Sequence, residues 1–264
     1  MSINKKGFLG EQIQEFSRNI INNNKELFDL CFDFNQVAHD VKFRFPIDSE
    51  DDRAIIATCL FIRILNGFQA VVILAKYGLS IESNMILRNL FQTLCILKRV
   101  VENEEFHRKY VLADLVQRRR LFNVAREDPD PVFDELRNDA HEYIKKLSNE
   151  IQELEVEEYS VEKLAELANW KSFYNTFYRL KSADTHTSPR SLEEYLAADG
   201  ENNIRSIKWG PSDEGINQTL FTSIDFLRMA LGLAIEFFDV EGLEKLQRLY
   251  TREQELHRKL GLSE

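Results

Sequence analysis

The sequence predicts an all-α fold, a multi-helix bundle of about eight or nine helices. Apolar residues recur at steps of three and four along most of the chain, which is the spacing of one face of a helix. Ten glycines and five prolines in 264 residues are too few for the turns of a many-stranded sheet, and 30% charged residues suit solvated helices. We expect one domain over 1–264, with 128–131 as an alternative boundary and 241–264 as a peripheral helix.

Two breaks divide the N-terminal third. A helix is expected over 8–45, interrupted by three consecutive asparagines and ended by Pro46, because proline disfavours helical backbone at the residue before it. The next helix begins at a capping box of Ser49 and Asp52 and ends at Gly78, which fits a left-handed cap. This helix is apolar nearly all round, which is typical of a central helix.

A polar stripe follows the next helix, which covers about 81–102 with Ser80 as its cap. The stripe consists of Asn84, Arg88, Gln92 and Arg99, with Cys95 interrupting it. Either the stripe is a solvent-facing edge, or Arg88 and Gln92 face an interior site.

Two charged segments follow. A helix is expected from Asn103 to about Glu127, with the arginines at 118–120 as a solvated face, before the prolines in 128–131 break it. Residues 131–158 carry a narrow apolar seam at coiled-coil-like spacing, which packs on the chain itself or binds a protein partner.

Ser160 is expected to cap the helix that enters the stretch 170–196. There a polar face coincides with several aromatic residues. On an ideal helix its four members lie on one face because they follow at steps of four, three and four. These members are Asn175, Arg179, Ser182 and His186.

The C-terminal part restarts at Ser188-Pro189, a helix start expected to end near Ala198. The one short extended segment, near 204–209, is expected to be a loop or an isolated strand. Two further helices follow, one begun by 211–214 and one over 241–260.

Charge and cysteine usage limit the partners and the compartment. The net charge of −10 disfavours broad binding along a nucleic-acid backbone but leaves room for a small basic pocket for one phosphate. Cys31, Cys59 and Cys95 lack metal-site spacing and are expected to be buried free thiols, which indicates a reducing compartment. No signal-peptide pattern and no apolar run of roughly 20 residues occurs, so we expect a cytoplasmic protein outside the membrane.

Arg179 and His186 are the candidate catalytic residues. Histidine titrates nearest neutrality and so transfers protons readily, and a guanidinium binds a phosphate or carboxylate through two hydrogen bonds. Ser182 lies between them in sequence and can donate to either ligand. The alternative for His186 is a structural residue that caps a helix end.

Tyr174 and Tyr178 either form an aromatic core face or wall a pocket and stack on a base. We group them with Ser182, Arg88 and Gln92 as candidate substrate-binding residues. The sequence has one Glu-x-x-His pair where a di-metal bundle needs two, and it lacks a His-Glu-x-x-His, a cysteine cluster and a glycine-rich phosphate loop. No metal and no other cofactor is therefore expected.

Three segments resemble a bacterial helical family known mainly as a domain of unknown function. They are a Tyr-Gly turn at 75–79, an Arg-x-Leu-Phe-x segment at 88–92, and the string Tyr-x3-Tyr-Arg-x2-Ser-x3-His that runs from Tyr174 to His186. The similarity covers roughly residues 50–200. That family favours glutamate where this chain has Gln92.

The segment from Arg179 to His186 is also similar to the Arg-x4–6-His motif of HEPN proteins, with six residues between them. Leu180 departs from the polar residue that active members usually carry. The resemblance implies a dimeric, metal-independent ribonuclease in a toxin-antitoxin or phage-defence system. His186 would move a proton and Arg179 would stabilise the charge on the phosphate.

The sequence leaves open whether the protein is an enzyme. The leading hypothesis is a HEPN-like RNA-cleaving effector that forms homo-oligomers, with a dimer as the first expectation. One alternative is a non-catalytic helical module that binds a protein through 131–158 or the C-terminal helix. Another is a pocket for a small anionic ligand anchored by Arg88 and Arg179.

Overall fold

A computed structural model describes residues 6–179, 189–193, 195–200 and 203–261. These residues contain ten α-helices of seven residues or more and one two-stranded sheet, which confirms the all-α prediction.

The N-terminal half contains six helices: α1 Gln12–Asn23, α2 Lys25–Lys42, α3 Asp52–Lys76, α4 Ser80–Glu102, α5 Phe106–Leu112 and α6 Asp114–Glu127. The other helices are α7 Asp134–Glu153, α8 Val161–Leu167, α9 Lys171–Phe173, α10 Pro189–Glu193, α11 Ile216–Phe238 and α12 Leu243–Lys259. A π-helical turn, Tyr174–Tyr178, continues α9. The strands are β1 Leu196–Ala198 and β2 Ile204–Ile207.

The centre of the bundle is formed by α3, α4 and α11, which pack against one another. Helix α2 covers α3 and α11, and α12 packs on α2 and α11. Six phenylalanines are among the largest fully buried side chains: Phe28, Phe34, Phe61, Phe68, Phe91 and Phe226. Burying a large apolar side chain contributes roughly 1.5–3 kcal/mol, so this core supplies much of the folding free energy.

The predicted break near the three asparagines occurs at Asn24, between α1 and α2. Ser160 caps α8 as expected, since its hydroxyl accepts a hydrogen bond from the Lys163 N–H. The expected cap at Ser49 is wrong, because Asp51 accepts the hydrogen bond from the Ala54 N–H at 2.9 Å. Ser80 lies inside α4 and donates its hydroxyl to the Glu214 carbonyl.

The segment expected as one helix over 103–127 is divided at Ala113 into α5 and α6. The prolines of 128–131 lie at the turn between α6 and α7, which pack against each other as a hairpin. This hairpin has its own buried seam of Val116, Ala125, Ala140 and Leu147.

The segment near 204–209 is extended as predicted, since β2 lies in it, but the expectation of a loop or an isolated strand is wrong because β1 and β2 form an antiparallel hairpin. Leu196 pairs with Ile207, and the Lys208 N–H donates to the Tyr195 carbonyl at 2.7 Å. The helix after Pro189 therefore ends at Glu193 and does not extend to Ala198.

One helix of the described residues, α3, is long and apolar enough to cross a membrane by length and composition alone. The sequence contains no uninterrupted apolar run of that length, because Arg63 interrupts the one in α3. Core helices of folded bundles pass the same test, and α3 packs on α2, α4 and α11.

Cys31 and Cys95 are buried free thiols, as expected. Burial raises the pKa of the Cys95 thiol to about 12 and also raises the pKa of Cys31. The expectation that Cys59 is buried is wrong, because this residue lies on the outward side of α3. Two apolar residues of the same helix, Ile62 and Ile73, are also exposed.

Gly78 ends α3 in the left-handed conformation predicted for it, with φ of +74°. A Cβ atom there would lie 2.7 Å from Pro211 Cβ and 2.8 Å from the Ser212 nitrogen, and the Gly78 carbonyl accepts a hydrogen bond from that nitrogen. The glycine therefore joins the α3–α4 turn to the segment that precedes α11.

We expect Gly78→Ala to lower the free energy of unfolding by about 1–3 kcal/mol, because it adds left-handed strain to a steric clash. Urea denaturation measures this change. Gly232→Ala is the matched control, because a Cβ at Gly232 inside α11 meets nothing within 4 Å. The control should raise stability by about 0.5–1 kcal/mol. Equal effects of the two substitutions would contradict this account of Gly78.

Candidate functional site

The backbone forms one π-helical turn at Tyr174–Tyr178, within the stretch 170–196 that carries the candidate catalytic residues. The Arg179 N–H donates to the Tyr174 carbonyl, five residues earlier. Single π turns occur frequently at functional sites. The step from Asn175 to Arg179 therefore departs from the ideal helix that the sequence argument assumed.

Aromatic packing on two sides positions this turn. Phe177 meets Phe226 of α11 edge-on with ring centroids 5.5 Å apart, and Tyr178 lies 5.8 Å from Phe91 of α4. Phe173 contacts both Phe91 and Phe226 at 5.3 and 5.6 Å. The turn is thus fixed between α4 and α11, the two central helices that carry these phenylalanines.

Arg88, Tyr178 and Tyr174 form a layered cluster, which we call the Arg-Tyr cluster. The Arg88 guanidinium carbon lies 4.6 Å from the centroid of the Tyr178 ring, in a cation–π contact. The Tyr174 and Tyr178 rings stack with centroids 5.1 Å apart and an interplanar angle of 21°. The structure therefore brings together three of the five candidate substrate-binding residues.

Arg88 is half-buried, yet no acidic side chain pairs with it among the described residues, and its buried Nε has no hydrogen-bond partner there. Two other half-buried arginines, Arg53 and Arg228, have carboxylate partners. Arg53 lies 3.9 Å from Glu104, and Arg228 lies 2.5 Å from Asp225. A guanidinium presents five donors in a planar fork, so Arg88 retains donors for an anion.

Tyr178 is 6% exposed, and burial raises the pKa of its phenol above the ordinary value. The positive charge of Arg88 opposes this shift, and the neighbouring Tyr174 adds to it. The phenol therefore stays protonated at neutral pH and remains a hydrogen-bond donor.

The polar stripe of α4 is not a solvent-facing edge, because Asn84, Arg88, Gln92 and Arg99 are all half-buried. Asn84 is 3.4 Å from the Thr219 hydroxyl of α11, which donates to its side-chain oxygen. Whether Arg88 and Gln92 face an interior site stays a prediction.

A cavity of about 330 Å³ adjoins the π turn, where Phe177 lines it. Its other walls come from the start of α4, the β hairpin and the start of α11. Lys208 lines the cavity and forms an ion pair with Glu214 at 2.9 Å, and Trp209 is 91% exposed at its rim. Helical periodicity does not point to these two residues, and their only sequence signal is their position at the end of the extended segment.

Arg179 is exposed, and its guanidinium has no hydrogen-bond or ion-pair partner within the described part of the chain. Ser182 and His186 lie outside the described residues. Whether these three residues share a face with Asn175 thus stays a prediction. Within the described ranges, no group of three or more histidine, cysteine, aspartate or glutamate residues is arranged to hold a metal ion.

A family model described as a family of unknown function, DUF5677, matches residues 54–204, which is more than half of the chain. This match confirms the expected helical family of unknown function. The Tyr-Arg-Ser-His string and the similarity to HEPN proteins remain predictions. No curated protein and no solved structure matches the chain.

Proposed function

The chain belongs to the DUF5677 family of unknown function, and we propose that its π-turn site binds single-stranded RNA and cleaves it without a metal. The observation that carries the proposal is the Arg-Tyr cluster, in which a half-buried arginine without an acidic partner lies against an aromatic ring.

Phosphate recognition is the first step of the proposal. Arg88 offers donors that no carboxylate of the described residues occupies, and the Tyr178 phenol adds a neutral donor beside it. Bidentate binding by a guanidinium suits a phosphate. The net charge of −10 limits the contact to a small site and argues against a long nucleic-acid track.

Base recognition is the second step. Tyr174 is half-buried and stacks on Tyr178, so part of its ring remains accessible to a base. Stacking of a base on an aromatic side chain contributes about 1–3 kcal/mol and requires an unpaired base. This requirement favours a single-stranded substrate.

Cleavage is the third step, and it assigns roles to Arg179 and His186. His186 accepts the proton of the ribose 2′-hydroxyl, whose oxygen then forms a bond to phosphorus. The bond from phosphorus to the 5′-oxygen breaks, and the leaving oxygen takes a proton. The products are a 2′,3′-cyclic phosphate and a 5′-hydroxyl. Arg179 stabilises the negative charge that develops on the phosphate. This activity suits a cytoplasmic toxin or phage-defence effector, as the HEPN similarity implies.

Binding is tested with a fluorescent oligoribonucleotide that carries 2′-O-methyl groups and so cannot be cleaved, in buffer with EDTA. Arg88→Met keeps an apolar stem but removes the guanidinium. It should weaken binding by about 10-fold or more, because a hydrogen bond to a charged group contributes about 1.5–3 kcal/mol.

The matched control is Arg63→Met, an exposed arginine of α3. Wild-type affinity in a folded Arg88→Met protein would contradict the site. Binding of the oligoribonucleotide without cleavage of unmodified RNA by the wild type would contradict the cleavage step and leave RNA binding in place.

The α6–α7 hairpin supports a second candidate function, a protein-interaction module. It packs chiefly on itself, and Glu158 holds it near its base through Arg120 at 2.5 Å and Gln117 at 2.8 Å. Leu121 and Tyr143 are 53% and 47% exposed on it. Under this proposal Leu121→Ser would abolish partner binding and leave RNA binding unchanged.

A further inference from the structure

The outward side of α3 carries eight residues at alternating steps of three and four, which we call the outward stripe. The stripe consists of Asp52, Ile55, Cys59, Ile62, Asn66, Gln69, Ile73 and Lys76. None of the eight is buried, whereas the core-facing residues of α3 all lie outside the stripe. Gln69, at one border of the stripe, contacts His39 of α2 at 3.0 Å.

The outward stripe is unusually apolar for a surface that faces water. Ile62 and Ile73 are 40% and 52% exposed, and Cys59 is exposed between Ile55 and Ile62. Less than half of the most apolar window of α3 is buried. With 25 residues the helix is about 37 Å long. Large exposed apolar surfaces of this kind mark interaction sites.

The order of residues in the stripe is self-complementary for an antiparallel copy. A two-fold axis at the level of residue 64 places Asp52 opposite Lys76 and Ile55 opposite Ile73. It also places Cys59 opposite Gln69 and Ile62 opposite Asn66, and each pair occurs twice because a two-fold interface is isologous. Steps of three and four are the spacing of paired helices.

Charge favours this partner and this direction. The antiparallel arrangement pairs acidic Asp52 with basic Lys76 at both ends. It also places the positive N-terminal end of each helix dipole beside the negative C-terminal end of the other. A parallel arrangement would place Asp52 against Asp52. A lipid bilayer would bury Asp52 and Lys76 without pairing them.

We propose that the outward stripe of α3 is the interface of a homodimer, in which two copies pair in antiparallel about an axis at residue 64. This inference does not depend on the proposed RNA site, because none of the residues assigned to that site lies in the stripe.

Disulfide crosslinking tests the register. In the dimer the two native Cys59 residues are ten positions apart along the axis, about 15 Å, which is too far for a disulfide. Gln69→Cys places a thiol opposite Cys59 of the second copy, so mild oxidation should produce a covalent dimer. Cys31 and Cys95 are buried and do not compete.

Two controls accompany this variant. Arg248→Cys adds an exposed thiol on α12, away from α3, and it should stay uncrosslinked. Gln69→Ser removes the contact between the Gln69 amide and His39, which are 3.0 Å apart, without adding a thiol. It therefore measures the effect of losing that contact alone.

Sedimentation velocity tests the interface itself. The wild type should be a dimer, and Ile62→Glu should weaken the dimer by about 100-fold or more with unchanged helicity, because it places two like charges close to the two-fold axis. Phe32→Glu, at an exposed position of α2, should leave the dimer intact. A monomeric wild type, a dimer that survives Ile62→Glu, or a monomer that binds lipid vesicles would overturn the proposal.

Discussion

Replacing His186 with alanine should slow metal-free cleavage of single-stranded RNA by about 10²–10⁴-fold, the range for losing a general acid–base group. Arg179→Ala should slow it by about 10²–10³-fold, as expected when a donor to a developing negative charge is removed. Both effects should fall on the cleavage step. Single-turnover rates with saturating protein therefore measure them apart from binding.

Thr187→Ala is the matched control for this experiment, because it alters the neighbour of His186 to which no role is assigned. Circular dichroism should show the same helix content in all three variants. A folded His186→Ala protein that cleaves at the wild-type rate would contradict the assignment of the general base. If His186→Ala and Arg179→Ala both fail to fold, these two residues have a structural role.

The second large effect concerns Glu253 of α12, which is 3% exposed in the core beside α11. Burial raises the pKa of its carboxyl from the ordinary 4.5 to about 8, and the nearby charge of Asp225 adds to the shift. Arg228, with Nε 3.3 Å from the Glu253 carboxylate, opposes it. The protonated form of Glu253 is therefore the stable one in the folded protein at neutral pH.

The sign of the pH dependence follows from this raised pKa. The stability that neutral Glu253 contributes is complete below pH 4.5 and is lost as the pH rises through about 8. Between pH 6 and 9 the free energy of unfolding should fall by about 2–3 kcal/mol from this group. Glu253→Gln cannot ionise and should lack this component.

Urea denaturation of the wild type and Glu253→Gln at pH 6 and pH 9 measures this component. The difference in unfolding free energy between the two proteins removes the contribution of other titrating groups. The unfolding free energy of Glu253→Gln minus that of the wild type should be larger at pH 9 than at pH 6. Glu255→Gln, at an exposed neighbouring position, should show no such shift. An equal difference at both pH values would show that Glu253 is already ionised at pH 6.

The helices were predictable because their periodicity and breaks are local properties of the sequence. Asn24 and Gly78 interrupt the chain where expected, and Ser160 caps α8. The β hairpin was missed because Leu196–Ala198 is composed of strong helix formers. Pairing with β2 overrides that local preference.

The candidate site was only partly predictable. Helical spacing placed Arg88 with Gln92 and Tyr174 with Tyr178, but it did not reveal that Arg88 lies against Tyr178. That contact depends on long-range packing. The π turn was also unpredictable, because it depends on Phe91 and Phe226 of two other helices. Periodicity likewise did not distinguish the outward side of α3 from its buried sides.

Mass spectrometry of RNA products tests the central claim most directly. Wild-type protein is incubated with a mixed single-stranded RNA in EDTA, and the new ends are identified. We predict products that end in 2′,3′-cyclic phosphates and 5′-hydroxyls, formed at similar rates with and without divalent metal. Intact RNA, or cleavage that EDTA abolishes, would contradict the proposal that this helical protein cleaves RNA through Arg179 and His186.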